Sequence, residues 1–345
     1  MPARTLLIFL ALSISWLIGC HGPMQVKTDS LVRARVSLVN DNNSVSPVAA
    51  RVLKGQGQCN DCRIALIDVD GVLLNRNVHV LTANGENPVS IFREKLDAAA
   101  ADPKVRGLIL RINSPGGGVT ACDMMRRDLM DFRQRKSIPV VACLMDVSAG
   151  GAYYLATACD RVVAHPTTIT GGLGVVLNLY NLQDTLAQFN VQSETIKAGK
   201  ETDLGTPLEV LTPEAKATLQ GIADEFSMRF RDTIASARHL PASSYPQLFD
   251  GRIYSAPQAR QLGLVDDLGY LDDAVNLTRQ MACVDAPVVM YRRDNDRAFT
   301  PYDITPNLPI QNSIIPVSLP GLDRSHLPTY LYMWQPDPAL EKSGS

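Results

Sequence analysis

The chain has 345 residues, of which 46% are hydrophobic, and its formal net charge at pH 7 is −2. This length allows one large domain or two small ones. The balanced charge gives no sign of a nucleic-acid partner, because proteins that bind nucleic acids usually carry a basic face.

The first 20 residues have the features of a lipoprotein signal peptide. Arg4 supplies a positive start, and the apolar run from Leu6 to Gly19 is long enough for a signal-peptide core but short of a membrane span. The run ends at Leu-Ile-Gly before Cys20, which looks like a bacterial lipobox whose cysteine becomes lipidated. An ordinary cleaved signal peptide with a chance cysteine is the alternative. We therefore expect an exported protein of the cell envelope, held at the membrane by a lipid on Cys20 and facing the periplasm or the exterior.

A polar, irregular segment follows and is interpreted as a linker covering residues 21–60. Near its end, Cys59 and Cys62 form a C-x-x-C pair. Because an exported protein meets an oxidising compartment, a local disulfide is possible, and two free thiols are the alternative. No second pair follows at zinc-site spacing, so the pattern does not favour a metal site.

From residue 63 onwards, short apolar runs alternate with helical patterns. Ser90 is the expected N-cap of the first helix. The predicted strands are 64–69, 107–112, 139–145 and 161–164, and the predicted helices are 90–101, 120–136 and 150–158. This alternation is typical of a parallel α/β architecture in which helices cover both faces of the sheet.

The second half of the chain contains one long helix and a proline-rich tail. The helix is predicted from Pro213 to about Ala237, with Thr212 as its cap. Prolines recur throughout residues 300–345, and proline blocks helix formation, so this segment is expected to be an extended or disordered, solvated tail. The main domain is therefore placed at residues 61–285.

A glycine-rich segment follows the second predicted strand. It reads Asn113-Ser114-Pro115 and continues with Gly116 and Gly117. Consecutive glycines leave backbone N–H groups free to face a cavity, and the start of a helix adds positive potential. Such amides can stabilise an oxyanion, although a tight packing turn explains the same pattern.

Together with motifs farther along the chain, this segment gives a resemblance to signal peptide peptidase A, a family of serine peptidases in the ClpP/crotonase superfamily. The resemblance runs from about Ile64 to Met281. The matching segments are Ile112–Gly117, Tyr153-Tyr154 with Asp160, Thr170–Val175, Asp250–Tyr254, and Ala259 with Gly263–Gly269. It implies an α/β fold of the ClpP/crotonase type, a repeated β-β-α spiral with parallel sheets covered by helices.

The resemblance also implies an activity. Family members are membrane-associated oligomers that cut residual signal peptides and other extended peptides, using a serine nucleophile and a lysine general base. The lysine must lose its proton to act, so the family's site lowers its pKa by burial. By resemblance, we expect a serine endopeptidase (a hydrolase) with no cofactor or metal, a peptide as substrate or ligand, and a homo-oligomer or co-assembly with a paralogue.

Three polar positions of the family pattern are substituted in this chain. The family nucleophile stands where this sequence has Gly150, and the family lysine where it has Thr202. A family serine that holds the lysine corresponds to Gly172. The usual catalytic side chains are thus absent from the matching positions.

A displaced dyad is the remaining candidate for catalysis. Ser148 and Lys200 each lie two residues before the matching family positions, and backbone N–H groups of Gly116, Gly117 and Gly151 are the candidate oxyanion donors. The alternatives are that Ser148 caps a helix, that Lys200 is a solvated loop charge, or that another residue such as Thr202 is the catalyst.

The sequence therefore leaves three functions open. The first is a serine endopeptidase at the cell envelope, and the second is a non-catalytic relative that binds peptides or co-assembles with an active paralogue. The third is crotonase-like acyl-CoA chemistry, which export argues against because coenzyme A is cytoplasmic.

Overall fold

The computed structural model describes residues 47–53, 59, 61–77, 79–80, 83–84, 86–293, 300–302 and 330–334. The predicted signal peptide with Cys20 lies outside the described residues, as do most of the predicted linker and most of the proline-rich tail. Within the described part of the chain, no helix is both long enough and apolar enough to cross a lipid bilayer.

The described residues alternate between strands and helices, as the sequence predicts. The strands are β1 (Val48–Val52), β2 (Arg63–Leu73), β3 (His79–Val80), β4 (Ala83–Asn84), β5 (Val105–Gly118), β6 (Val140–Ala149), β7 (Arg161–Ala164), β8 (Ile169–Gly171), β9 (Ile253–Ser255), β10 (Asp267–Leu268), β11 (Val288–Arg293) and β12 (Leu331–Met333). The helices are α1 (Pro88–Ala101), α2 (Val119–Lys136), α3 (Gly151–Ala156), α4 (Gln183–Gln188), α5 (Pro213–Arg238), α6 (Tyr245–Leu248), α7 (Ala256–Gln261) and α8 (Leu271–Ala282). A 3₁₀ turn, Ala242–Ser244, precedes α6.

All of these strands except β3 and β4, which pair with each other, form a large, mainly parallel sheet. Its order is β1-β11-β2-β5-β6-β7-β10, and every neighbouring pair in that order is parallel except β1 with β11. Beside this path, β8 runs parallel to β6, β9 is antiparallel to β8, and β12 is antiparallel to β5. The predicted α/β architecture with a parallel sheet is confirmed.

The core lies on both faces of this sheet, because alternate side chains of each strand point to opposite faces. On one face, Leu108 and Leu110 of β5 pack in a cluster with residues of α1 and α2, such as Phe92 and Leu129. On the other face, Ile109 packs in a second cluster with residues of α8. Burial on two faces explains why the central strands are nearly continuous apolar runs.

The observed helix caps can be compared with the two N-caps predicted from the sequence. Thr212 accepts a hydrogen bond from the Ala215 N–H at 3.1 Å, so the predicted cap of α5 is confirmed. Ser90 is the wrong cap for α1. Asn87 caps that helix by accepting from the Val89 N–H at 2.9 Å, because Pro88 fits the first turn and moves the helix start upstream.

Two ends of the predicted domain are also corrected. Residues 48–52, assigned to the linker, form β1 and pair with β11, which lies beyond residue 285. The linker interpretation is therefore wrong for these residues. Cys59 and Cys62 form a disulfide, so the oxidised alternative holds in this structure.

Part of the proline-rich tail is a strand of the sheet. Residues 331–333 form β12 and pair with the glycine-rich end of β5. The prediction of a solvated tail is wrong here, because the run Tyr330–Trp334 lies between Pro328 and Pro336, contains no proline, and consists of aromatic and other apolar residues that favour strands.

Candidate active site

The glycine-rich segment and the start of α3 meet at one edge of the sheet. Because β5 and β6 are parallel, their carboxyl ends reach the same edge, where sites commonly form in α/β proteins. β5 ends at Gly118, so the glycine-rich segment continues as a strand, and the alternative of a tight packing turn is wrong. After β6, Gly150 leads into α3 with a φ of +52°, a left-handed conformation that glycine adopts without strain.

The glycines predicted as oxyanion donors converge at this edge, but their amides are not all available. A β-carbon built on Gly116 would lie 2.8 Å from the Gly151 nitrogen, so these two residues are neighbours. The Gly116 N–H, however, donates to Ser114 Oγ at 3.1 Å, and Gly117 stands opposite Tyr332 in the β5–β12 ladder. The three glycines therefore lie close together, but the chain's own groups bind the Gly116 N–H and pair with Gly117.

The carbonyl group of Tyr332 lies at the point where the glycines converge. A β-carbon at position 150 would be 2.7 Å from the Tyr332 carbonyl carbon and 2.9 Å from the Met333 α-carbon. A β-carbon on Gly151 would be 3.2 Å from the Tyr332 carbonyl oxygen, and one on Gly116 would overlap that oxygen. A side chain at the family nucleophile position would thus meet the Tyr332–Met333 peptide group directly.

Residues 330–334, which include β12 and which we call the tail strand, are bound along both edges by backbone groups. On one edge, the Val119 N–H donates to the Tyr330 carbonyl at 3.1 Å and the Trp334 N–H donates to the Pro115 carbonyl at 3.0 Å. On the other edge, Leu331 donates to the Val176 carbonyl at 2.9 Å and accepts from the Val176 N–H at 3.0 Å. This is the geometry of a peptide added as a strand between two existing edges.

An aromatic pocket encloses the Tyr332 side chain. Its ring stacks on Phe230 with centroids 4.1 Å apart, and the Tyr154 ring lies 5.8 Å away. Its hydroxyl donates to the Phe226 carbonyl at 2.8 Å, and only 1% of the residue is exposed. Burial raises the pKa of Tyr332 well above its usual range, so the phenol stays neutral in the pocket. Tyr154 comes from the Tyr-Tyr motif that the sequence singled out.

Ser148 is enclosed in the sheet. It lies in β6 opposite Ser114 of β5, is fully buried, and its Oγ has no hydrogen-bond partner among the described residues. Its backbone carbonyl accepts from Thr170 Oγ1 at 2.6 Å. The helix-cap alternative is wrong, because the N-cap of α3 is Gly150 and no side chain caps that helix.

Lys200 lies on a separate, exposed segment. We call residues 177–212 the arm, and none of them is buried. The Lys200 side chain is 85% exposed and its Nζ lies 3.7 Å from Glu201, as expected for a solvated loop charge. Thr202 Oγ1 donates to the carbonyls of Ala198 and Gly199 at 3.1 and 2.9 Å. The chain therefore does not bring Lys200 to the Ser148 hydroxyl, and the predicted dyad is not formed within it.

Gly172, the third substituted position, also touches the tail. It has a φ of +61°, and a β-carbon there would lie 2.9 Å from the Trp334 β-carbon. Two of the three substituted positions are thus glycines packed against residues 330–334. The sequence alone does not predict this contact, although the proline-free aromatic run in a proline-rich segment is a visible signal.

Comparisons with known proteins agree with the motif assignment. Residues 132–285 match the family described as Peptidase family S49. A candidate protease of Methanocaldococcus jannaschii is 35% identical over 56% of this chain and 62% of its own length. The chloroplast serine protease of Arabidopsis thaliana is 33% identical over 55% of this chain and 28% of its own length. Protease 4 of Salmonella typhi is 29% identical over 64% and 34%, so the chain spans less than two thirds of each of these relatives.

Among solved structures, a mutant of the 1510-N membrane-bound stomatin-specific protease in complex with a substrate peptide has a TM-score of 0.43 and 11% sequence identity, and the match covers 69% of this chain and 95% of that one. A second mutant of the same protease has a TM-score of 0.39 and 14% identity over 63% and 85%. The family match and the sequence relatives thus show that part of this chain, including residues 132–285, is similar to peptidase family S49 and to serine proteases of the signal peptide peptidase type.

Proposed function

We propose that this chain is a peptide-binding member of the S49 family at the cell envelope. It holds an extended peptide in the groove between residues 115–119 and Val176, where residues 330–334 lie, and does not cut that peptide by Ser/Lys chemistry. The observation that carries the proposal is the peptide group of Tyr332 and Met333 seated against Gly150, where a nucleophile would stand. A lipid on Cys20 would hold the protein at the membrane, and co-assembly with an active paralogue would place the groove beside a working peptidase.

The chemistry of acyl transfer supports this proposal. A serine nucleophile needs a base within hydrogen-bonding reach, about 3 Å, to remove its proton. Gly150 offers no hydroxyl, and the buried Ser148 hydroxyl has no hydrogen-bond partner among the described residues. Lys200 lies in solvent on the arm, whereas a lysine that serves as a base is normally enclosed. The groove thus supplies peptide recognition but no paired nucleophile and base.

A second candidate is a signal-peptide-peptidase-like serine endopeptidase that acts through Ser148 and Lys200. The names of the relatives favour it, and so does the Ser148 hydroxyl, because a buried hydroxyl without a partner is unusual and calls for an explanation. In this candidate, rearrangement or assembly would have to bring a lysine to that hydroxyl.

Active-site labelling separates the two candidates. The purified chain and its Tyr332→Gly variant, in which the tail strand is weakened, are treated with a fluorophosphonate and with a peptide boronate, and adducts are located by mass spectrometry. Cleavage of extended peptides is followed in parallel, with an active serine peptidase as the reagent control. We expect neither adduct nor cleavage in either form. The weakened-tail variant matters because it shows that a negative result does not come merely from the covered groove.

Two outcomes would contradict the proposal. An adduct on Ser148 that disappears in Lys200→Ala would establish the displaced dyad and the endopeptidase function. An adduct on another residue, or cleavage that survives Ser148→Ala, would show a different catalyst in the same groove.

A further inference from the structure

We infer that the groove is selective for peptides with two tyrosines spaced two residues apart, and that residues 330–334 fill it as a built-in ligand that competes with external peptides. This inference rests on the proposed function, because it names the ligand class of the same groove. It follows from three sets of contacts: those of the backbone, of the two tyrosine side chains, and of the substituted glycines.

The backbone contacts supply affinity without selecting a sequence. The four hydrogen bonds to Pro115, Val119 and Val176 involve main-chain groups only, so any extended peptide can form them. A proline at a donating position of the ligand, such as that of Leu331 or Trp334, would remove one of these bonds. Selectivity must therefore come from the side chains of the bound strand.

Helix α5 recognises both tyrosines of the tail in the same way. The Tyr330 hydroxyl donates to the Leu219 carbonyl at 2.9 Å, and its ring meets the Phe226 ring edge to face at 5.2 Å. The Tyr332 hydroxyl donates to the Phe226 carbonyl at 2.8 Å, and its ring stacks on Phe230. Residues two apart on a strand point to the same side, so one helix face can recognise both rings.

The pairing of ring and hydroxyl contacts favours tyrosine over other residues. An aliphatic side chain would lose the aromatic contacts with Phe226 and Phe230, and a charged one in place of Tyr332 would be buried among aromatic rings. Phenylalanine would keep the ring contacts but lose the hydrogen bond to the helix carbonyl. The expected order of preference at each position is therefore tyrosine, then phenylalanine, then the rest.

The substituted glycines make room for this ligand. Side chains at Gly150 and Gly172 would collide with the Tyr332 carbonyl group and with Trp334. The family serines at both positions are thus incompatible with the path that the tail takes here. The loss of the catalytic side chains and the insertion of the tail strand are parts of the same structural change.

Competition between the tail and a synthetic peptide tests the inference. The probe is a fluorescein-labelled peptide with the sequence of residues 329–335, and its binding is measured by fluorescence polarisation. A tethered ligand has an effective concentration in the millimolar range, so the full chain should bind the probe poorly. We expect the full-chain variant Tyr332→Ala to bind it at least about tenfold more tightly. Tyr180→Ala, an exposed tyrosine of the arm, is the matched control and should behave as the parent.

Selectivity is read from variants of the probe. Replacing both tyrosines of the probe by alanine should abolish binding, whereas replacing them by phenylalanine should weaken it by a smaller factor. If Tyr332→Ala does not fold, a protease site inserted between residues 303 and 329 separates the tail after folding and leaves every groove residue intact. Dilution then releases the tail, and the probe should bind to the cut protein.

Each outcome decides one question. Equal binding by the parent and both opened forms would overturn the built-in ligand, and equal binding of the tyrosine and alanine probes would overturn the selectivity. Tight binding followed by cleavage of the probe would support the inference while contradicting the proposed non-hydrolytic function. Failure of the probe to bind any opened form would overturn the inference, and the labelling experiment would still decide the question of hydrolysis.

Discussion

The sheet and the arm differ in how far they bury the two positions that match the family's catalytic pair. In the sheet, Gly150, which matches the family nucleophile position by resemblance, lies between β6 and α3, with buried residues around them. In the arm, which contains Lys200 and the position that matches the family lysine by resemblance, Thr202, no residue is buried, and ion pairs such as that of Lys197 with Asp203 are local. A single chain of this sequence thus surrounds the groove with buried residues and leaves the arm, which carries the matching base position, exposed to solvent.

Two lysines give the strongest test of this contrast. Lys95 of α1 is buried and forms an ion pair with Asp68 at 2.6 Å, whereas Lys200 of the arm is exposed. Lys95→Ala should lower the free energy of unfolding by about 4 kcal/mol, because it removes one partner of a buried ion pair. Lys200→Ala should change it by less than about 0.5 kcal/mol. Urea denaturation measures both, and similar losses would show that the arm is packed as firmly as the sheet.

Two aliphatic residues test the same contrast without charge. Leu110 in the centre of β5 is fully buried, and Ile196 in the arm is 97% exposed. Leu110→Ala should destabilise the protein by about 3 kcal/mol, because it leaves a cavity beneath the helices. Ile196→Ala should have an effect within about 0.5 kcal/mol of zero. A large effect at Ile196, seen in thermal unfolding at several protein concentrations, would point to burial of the arm in an assembly.

The pH dependence of stability gives the smallest expected difference. Burial raises the pKa of Asp70 in β2 to about 6, although the nearby Arg111 opposes the shift. The folded state therefore holds this proton more tightly than the unfolded state, and the stabilisation that results is lost as the pH rises through 6. Between pH 7.5 and 4.5, the parent should gain about 2 kcal/mol that Asp70→Asn does not gain.

The arm supplies a control of opposite sign for that experiment. The hydrogen bond from Lys197 lowers the pKa of Asp203, so any stabilisation is present at neutral pH and lost as the pH falls through the lowered value. Because the arm has no buried residue and solvent therefore screens this pair, Asp203→Asn should leave the parent's pH profile nearly unchanged. Chemical denaturation at the two pH values gives both comparisons, and parallel profiles for the parent and Asp70→Asn would contradict the assignment.

The sequence was sufficient for those parts of the structure that local patterns determine. The buried strands and the helices around them follow from apolar runs and periodicity, and Thr212 was identified as a cap because Pro213 follows it. The prediction of Ser90 as the cap is wrong because Asn87 followed by Pro88 starts the helix three residues earlier. Both Ser and Asn are favoured caps, so propensity alone does not decide between them. The strand that continues through the glycine-rich segment is not predictable from composition, because glycine content does not show that another strand will pair with it.

The candidate site was predictable only in part. Gly150 and Gly172, which motif matching gives as substituted family positions, directly follow β6 and β8. Their common contact with the tail could not be foreseen, because it joins positions far apart in the chain and depends on tertiary packing. Composition also gave a wrong prediction, because the prolines on either side of residues 330–334 indicate a solvated tail, whereas the run between them contains β12.

The place of β12 in the chain has a consequence for biosynthesis. Among the described strands it is the last to be translated, so a chain that folds from its N-terminus completes the rest of the sheet before the groove is filled. During that interval, Tyr154 and Phe230 present an aromatic surface that another polypeptide or a chaperone can bind. A nonsense mutation between codons 303 and 330 would leave the groove permanently open, so this truncated protein should fold but be prone to aggregate.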